Sequence, residues 1–161
     1  MMSRMADRRR GDPAYISALD PSLDFMRLLW GIEHGLQSTS KRMEAKLGIT
    51  GPQRLVLRIV SQFPGVAPGE LARIVRLHPS TITGVVQRLV TKGYLSRELD
   101  PSDSRRVRLR IRDAAKKYTQ RPGGTVEGAI ARALARVPKT QMRHARHVLS
   151  AIAAALEEDQ K

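Results

Sequence analysis

Residues 79–111 read PSTITGVVQRLVTKGYLSRELDPSDSRRVRLRI, and two periodicities meet inside them. In the first half Ile82, Val85, Val86, Leu89 and Val90 return every three or four residues, which is one face of a helix. That helix opens at Pro79, suited to a first turn, and runs to about Lys92, where Gly93 ends it. In the second half the period falls to two. Val107, Leu109 and Ile111 alternate with Arg106, Arg108 and Arg110, which predicts a strand over 105–111. A partner strand spans 94–99, and Asp100-Pro101-Ser102-Asp103-Ser104 between them is turn chemistry.

Working upstream, Pro68 begins a short helix with Leu71, Ile74 and Val75. Two short helices joined by a tight turn make a helix-turn-helix. Before them Thr50 caps a helix carrying Leu55, Val56, Ile59 and Val60, which ends near Phe63-Pro64-Gly65. Earlier still, Phe25, Leu29, Ile32, Leu36, Met43 and Leu47 line one face of a long helix that opens at Pro21-Ser22 and stops at Gly48. Downstream, a short helix over 113–119 is broken by Pro122, Gly123 and Gly124, and helices follow over 125–136 and 139 to about 158. In the last one Met142, Ala145, Leu149, Ile152 and Leu156 step by three and four, a narrow heptad seam. Such a seam needs a partner: the long N-terminal helix, or its copy in a second subunit.

The charge is not spread evenly. Of 161 residues, 29 are Lys or Arg and 15 Asp or Glu, a net charge of +14. Residues 71–112 hold ten of the basic and three of the acidic side chains, so a quarter of the chain carries half of the net charge. Glu157, Glu158 and Asp159 gather at the other end. A directed basic surface fits a polyanion better than a generally basic protein does. Aromatic residues are only 4% of the chain, too few for the stacking platforms of single-strand binders, so the polyanion expected is duplex DNA.

The helix at 79–92 leaves Ser80, Thr81, Thr83, Gly84, Gln87 and Arg88 on its polar side. A major groove admits one helix, and side chains of these kinds hydrogen-bond to base edges and phosphates. The bland alternative is an ordinary amphipathic surface helix. The hairpin argues against it, because Arg97, Arg105, Arg106, Arg108 and Arg110 crowd onto one small ribbon beside that helix. Arginine suits a narrow minor groove, which focuses negative potential. Asp103, two residues before Arg105, stands where a carboxylate aims a guanidinium, although Asp100 and Asp103 are also ordinary turn formers.

Several of these residues carry a resemblance. Gly51-Pro52-Gln53-Arg54-Leu55, Leu71-Ala72-Arg73, Leu77-His78-Pro79-Ser80-Thr81-Ile82-Thr83-Gly84, Leu89, Lys92-Gly93-Tyr94-Leu95 and Arg97 with Asp100-Pro101-Ser102-Asp103-Ser104-Arg105-Arg106 resemble the MarR family of bacterial regulators. The likeness covers about 65 residues, Leu47 to Ile111, and the Asp103-x-Arg105 wing pattern is its most specific part. It implies a mainly α fold with a small β-hairpin wing: a winged helix-turn-helix plus a helical dimerisation region. The expected organisation is a flexible basic arm over 1–20, a dimerisation helix over 21–47, a DNA-binding winged helix-turn-helix over 48–112, and C-terminal helices completing the dimerisation region over 113–161. The resemblance further implies a homodimer that interlocks through its terminal helices on a palindromic operator. Recognition helices then enter successive major grooves, and Arg105, held by Asp103, enters the minor groove. Arg73, Arg97, Arg106 and Arg108 meet phosphates or groove edges. Often such a regulator is a repressor relieved by a small aromatic or anionic effector. The chain departs from the family after the wing, where Ile111-Arg112-Asp113-Ala114-Ala115 lacks the usual capping Thr and following Gly.

Trp30 and His34, four apart on one helical face, offer an effector an aromatic surface and a polar handle; the alternative is that Trp30 is core or interface and His34 is solvated. Arg54 and Arg58 suit a carboxylate ligand, or equally an ion pair with Glu33 or Glu44. His144 and His147 have metal-ligand spacing but no further ligands nearby. There is no cysteine, no Gly-rich phosphate loop, no HExxH and no GxSxG, so neither an enzyme nor a cofactor is expected. With no apolar run long enough to span a bilayer and no signal sequence, the expected location is the cytoplasm, without membrane contact. Two rivals remain: a sequence-indifferent architectural binder, which needs an aromatic wedge or stacking platform, and a ligand-binding or enzymatic module with eroded basic positions.

Overall fold

The computed structural model describes residues 19–120 and 123–158. The expected basic arm lies almost wholly outside them, as do Pro122 and Asp159. Along the chain run α1 (Pro21–Leu47), α2 (Gly51–Gln62), α3 (Pro68–Val75), α4 (Pro79–Thr91), β1 (Leu95–Asp100), β2 (Asp103–Ile111), a 3-10 turn (Asp113–Ala115), α5 (Lys116–Thr119), α6 (Val126–Leu134) and α7 (Lys139–Glu158). The chain divides between Ser38 and Thr39 into two compact units.

In the first unit, the start of α1 is held by Asp20, whose carboxylate accepts the Ser22 N–H at 2.9 Å. Asp24 pairs with Arg27 and Glu33 accepts from Gln37, both along the helix surface. Phe25, Ile32 and Leu36, placed by their spacing on a packed face, are exposed here, as are Leu23, Met26, Leu28 and Trp30. An exposed apolar face of this kind is the mark of an interaction surface.

The second unit begins with the end of α1, where Met43 is buried. Thr50 then caps α2 reciprocally: its hydroxyl accepts the Gln53 N–H and the Gln53 side chain accepts the Thr50 N–H, each at 3.3 Å. Val56, Leu57 and Val60 face inward with Gln53 and Arg54, while Leu55 is exposed. The expected α2 stripe is thus displaced, because Arg54 rather than Leu55 takes the inward place. On α3, Leu71 and Ala72 are buried and Ile74 is exposed. The core is completed by Ile82, Val85, Val86 and Leu89 from α4, Leu95 and Leu109 from the hairpin, and Ala115 and Tyr118 from beyond it. The lobe that packs around α4 therefore draws on residues past 112.

The turn between α3 and α4 contains Arg76 at φ 53°, a non-glycine residue in the left-handed region. That conformation costs an L-residue about 1–2 kcal/mol, and a glycine there loses about 0.5–1 kcal/mol in chain entropy. The Arg76–Glu157 pair, 3.5 Å between two exposed side chains, adds little. Arg76→Gly is therefore expected to stabilise the protein by about 0.5 kcal/mol, read as a raised urea midpoint; a lowered midpoint refutes the strain.

The hairpin is antiparallel, pairing Leu95 with Ile111, Arg97 with Leu109 and Leu99 with Val107, with an irregularity at Leu99/Asp100. Both strands reach further toward the turn than the sequence reading placed them, since Asp100 and Asp103 still pair. The α2–α3 connection extends the pairing: Gly65 N–H donates to Leu109 O and Leu109 N–H to Val66 O. The base of the wing is thereby fastened to the helix-turn-helix. Where the family pattern breaks, Asp113 opens a 3-10 turn, and its N-cap Arg112 donates its N–H to Tyr94 O at 3.0 Å.

Candidate nucleic-acid interface

α4 is rooted by its apolar face and presents the other. Ser80, Thr81, Thr83, Gln87 and Arg88 are all exposed, and Gly84 is half-buried. Thr83 donates its hydroxyl back to Pro79 O at 2.9 Å, leaving that oxygen as an acceptor toward any ligand. Gly84 leaves room beside Arg88: a Cβ built there stands 3.9 Å from a terminal guanidinium nitrogen.

The residue that starts this helix escaped the sequence reading. His78 is the N-cap, and its Nδ1 accepts the Ser80 N–H at 3.2 Å and lies 2.7 Å from the Ser80 hydroxyl. With Nδ1 accepting, the proton belongs on Nε2, so the exposed ring offers a donor at the head of α4. The signal was available, because a residue directly before a helix-opening Pro occupies the cap position. At the other end, Lys92 Nζ donates to Gly48 O at 3.0 Å and so anchors α4 to the α1–α2 junction.

The wing arginines divide into two sets. Arg108 is held by Asp100, with Nε and Nη2 both 2.7 Å from Oδ2 of a nearly buried carboxylate. Arg106 pairs with Glu70 of α3 at 2.8 Å, and Arg110 with Glu98 at 2.9 Å. Arg97 and Arg105 are exposed and, among the described residues, have no ion-pair partner. The expected role of Asp103 is corrected here: its carboxylate accepts the Arg105 backbone N–H at 3.0 Å. A short Asp side chain reaches the main chain two residues on more readily than a guanidinium tip. Asp103 shapes the turn, and the Arg105 side chain is left unpaired in it. Arg108 is likewise committed to the wing's own structure.

Glu70 joins the two parts of the surface. Its carboxylate accepts the Ala67 N–H at 3.0 Å, capping α3, and grips Arg106. The Ala67 hydrogen bond, with Arg106 and Arg73 nearby, lowers its pKa below the usual carboxylate range. At the wing tip Asp100 accepts the Ser102 hydroxyl and N–H, at 2.7 and 2.9 Å. Those two bonds, with Arg108, bring its pKa down from 3.8 to about 2. A carboxylate depressed on folding contributes stability above its unfolded pKa and loses it as pH falls through the folded one. The wing tip is thus expected to hold at neutral pH and to loosen between about pH 4 and 2. Asp100→Asn should flatten that part of an acid titration followed by Arg108 side-chain NMR signals, and an unchanged profile counts against the assignment.

The residues expected to meet an effector fall in two places. Trp30 and His34 are exposed on the first unit's part of α1. Arg54 and Arg58 are spent inside the lobe. Arg54 is fully buried and bonds Glu127, Tyr118 O and Gln120 O, while Arg58 bonds Thr119 O. Arg54 has Glu127 rather than Glu44 as its ion-pair partner, because α2 turns this side toward α5 and the first turn of α6. Each guanidinium nitrogen of Arg54 is thus engaged within the lobe, whereas the half-buried Arg58 bonds there through one nitrogen.

The MarR family model matches residues 47–106, which run from the end of α1 through the wing. An HTH-type transcriptional repressor of Mycobacterium tuberculosis is 31% identical over 103 residues, covering 64% of this chain and 74% of that protein. The chain belongs to the MarR family. Among solved structures it is similar to the PcaV transcriptional regulator of Streptomyces coelicolor, 27% identical at a TM-score of 0.65 over 86% of this chain and 95% of that one, and to CouR of Rhodococcus jostii, 26% identical at 0.68 over 82% and 93%. This MarR-family chain is accordingly a DNA-binding transcriptional regulator with a winged helix-turn-helix. Among the described residues no helix is long and apolar enough to cross a membrane.

Proposed function

We propose that the protein is a homodimeric, sequence-specific repressor that binds a palindromic operator and is released by a small-molecule ligand. The observation that carries the DNA-reading part is the juxtaposition on one lobe of a polar α4 face with two unpaired wing arginines. In this reading Ser80, Thr81, Thr83, Gly84, Gln87 and Arg88 face the major groove, with His78 at their head. Arg105 enters the minor groove. Arg73, Arg97 and Arg106 contact the backbone, and Arg106 exchanges Glu70 for a phosphate. Repression is supported by the name of the mycobacterial relative. Ligand release is supported by PcaV, solved with its natural ligand, and by CouR, solved with p-coumaroyl-CoA.

Dimerisation rests on uncovered apolar side chains in both units: those of α1 already named, and Ile130, Leu134, Val148, Leu149 and Leu156 on α6 and α7. Leu149 and Leu156 of the α7 seam are exposed, and a second copy supplies a cover for them.

A fluorescence titration of duplex DNA from upstream of the gene, beside a scrambled duplex and across a salt series, tests the reading. Binding of the native duplex at least ~10³-fold tighter, two chains to a site, is expected. Equal binding of both duplexes with only a steep salt slope makes the protein a sequence-indifferent architectural binder instead. Retention of the operator in the presence of aryl carboxylates and their thioesters argues against that ligand class.

A further inference from the structure

We propose that Arg54 and Arg58 are positioning residues that fix the half-site spacing this regulator accepts, by locking α2 onto the segment that leads into α6. The proposal rests on the dimer reading above.

The arginines lie four apart on α2, hence on one face, and both reach the same short stretch of chain. Arg54 Nη1 donates to Tyr118 O at 2.5 Å, its Nη2 to Gln120 O, and Arg58 Nη1 to Thr119 O. Three consecutive carbonyls at the C-terminal end of α5, which the helix itself leaves without donors, are thereby satisfied from another element. Arg54 Nε turns the other way and pairs with Glu127, in the first turn of α6. Thr125 caps that same turn by accepting the Gly128 N–H at 3.1 Å. One guanidinium therefore grips the end of α5 and the start of α6 together.

Tyr118 ties this joint back to the DNA-reading lobe. Its hydroxyl donates to Leu47 O at 3.2 Å and lies 3.2 Å from the Tyr94 hydroxyl, and the two rings pack at 5.1 Å. Tyr94 stands between α4 and β1, so the joint reaches the elements on either side of it.

A fully buried guanidinium is a costly way to fill space, since apolar residues of similar volume often serve stability as well or better. What the planar fork supplies is direction: donors in fixed geometry hold neighbouring elements at one angle, as a sliding apolar contact does not. Angle matters in a dimer on DNA, where two recognition helices must land one helical turn apart. Over a lever the length of α4, about 20 Å for its 13 residues, a tilt of ~10° displaces the far end by ~3.5 Å, close to one base-pair step.

The test uses full-length Arg54→Lys, Arg58→Leu and Glu127→Gln proteins, with palindromic duplexes whose half-sites are moved together or apart by one and two base pairs. The wild type is expected to prefer one spacing by at least about tenfold, and the variants to flatten that preference to within about threefold while remaining folded and dimeric. Folding is read by circular dichroism and assembly by sedimentation. Should Arg54→Lys fail to fold, the half-buried Arg58 and Glu127 variants decide the matter. A folded, dimeric variant that keeps the wild-type spacing profile overturns the proposal, because a purely structural role moves stability and leaves spacing alone. A wild type that sediments as a monomer on DNA overturns the dimer reading instead.

Discussion

Leu89→Ala is expected to cost the protein about 2–5 kcal/mol of stability, seen as a lower urea midpoint at an unchanged slope. Leu89 is wholly buried on α4, in the core that also holds Leu57, Leu71 and Leu95. That core is shared among α2, α3 and β1, so the cavity left by truncation cannot close without moving α4. Part of the loss is the transfer of the removed atoms, and part is the void. The DNA-facing side chains are untouched by the change, and this separates the outcomes. Operator binding should fall only in proportion to the unfolded fraction. A near-neutral change in the midpoint means that α4 is not anchored where the structure puts it.

Arg105→Ala should weaken operator binding by about 1–3 kcal/mol, some 5- to 150-fold, while competitor DNA is affected less. The wing sets up this contrast internally. Arg106, Arg108 and Arg110 already have carboxylates, so a phosphate must replace an existing partner. Arg105 surrenders nothing on binding, because Asp103 engages its main chain only. Fluorescence anisotropy with the operator and a mismatched duplex measures both affinities. An operator affinity unchanged by the substitution removes Arg105 from the interface. Arg108→Ala makes an informative companion, since it leaves the nearly buried Asp100 carboxylate without its guanidinium and should loosen the hairpin tip.

The parts of this molecule that were legible in the sequence are those where one side chain decides one local outcome. Pro79 and Gly93 bracket α4, Thr50 announces the cap of α2, and the alternation from Val107 to Ile111 announces β2. The polar face of α4 followed from its apolar one. What stayed illegible depends on contacts between distant residues. Nothing near Arg54 says that it lies inside the lobe, because the carbonyls that make burial affordable are more than sixty positions away. The Arg106–Glu70 tie spans 36 positions and is equally silent. Asp103 failed for another reason: two readings of the same spacing compete, and the backbone N–H is the nearer target. Leu55 and Ile74 show the limit of periodicity, which finds a stripe but not which edge of it meets the core.

The wing's outer strand has a consequence for how the protein behaves at the concentrations of a crowded cell. β2 is bordered on one side by β1 and on the other by Gly65 and Val66, whereas among the described residues β1 pairs with β2 alone. A bare strand border invites a like strand from another molecule, and here it carries an exposed leucine, Leu99. The charges of Arg97 and Glu98 and the irregularity at Leu99/Asp100 make that border a poor template. Free wings should therefore repel one another's advances and stay single until a groove of the opposite sign is offered.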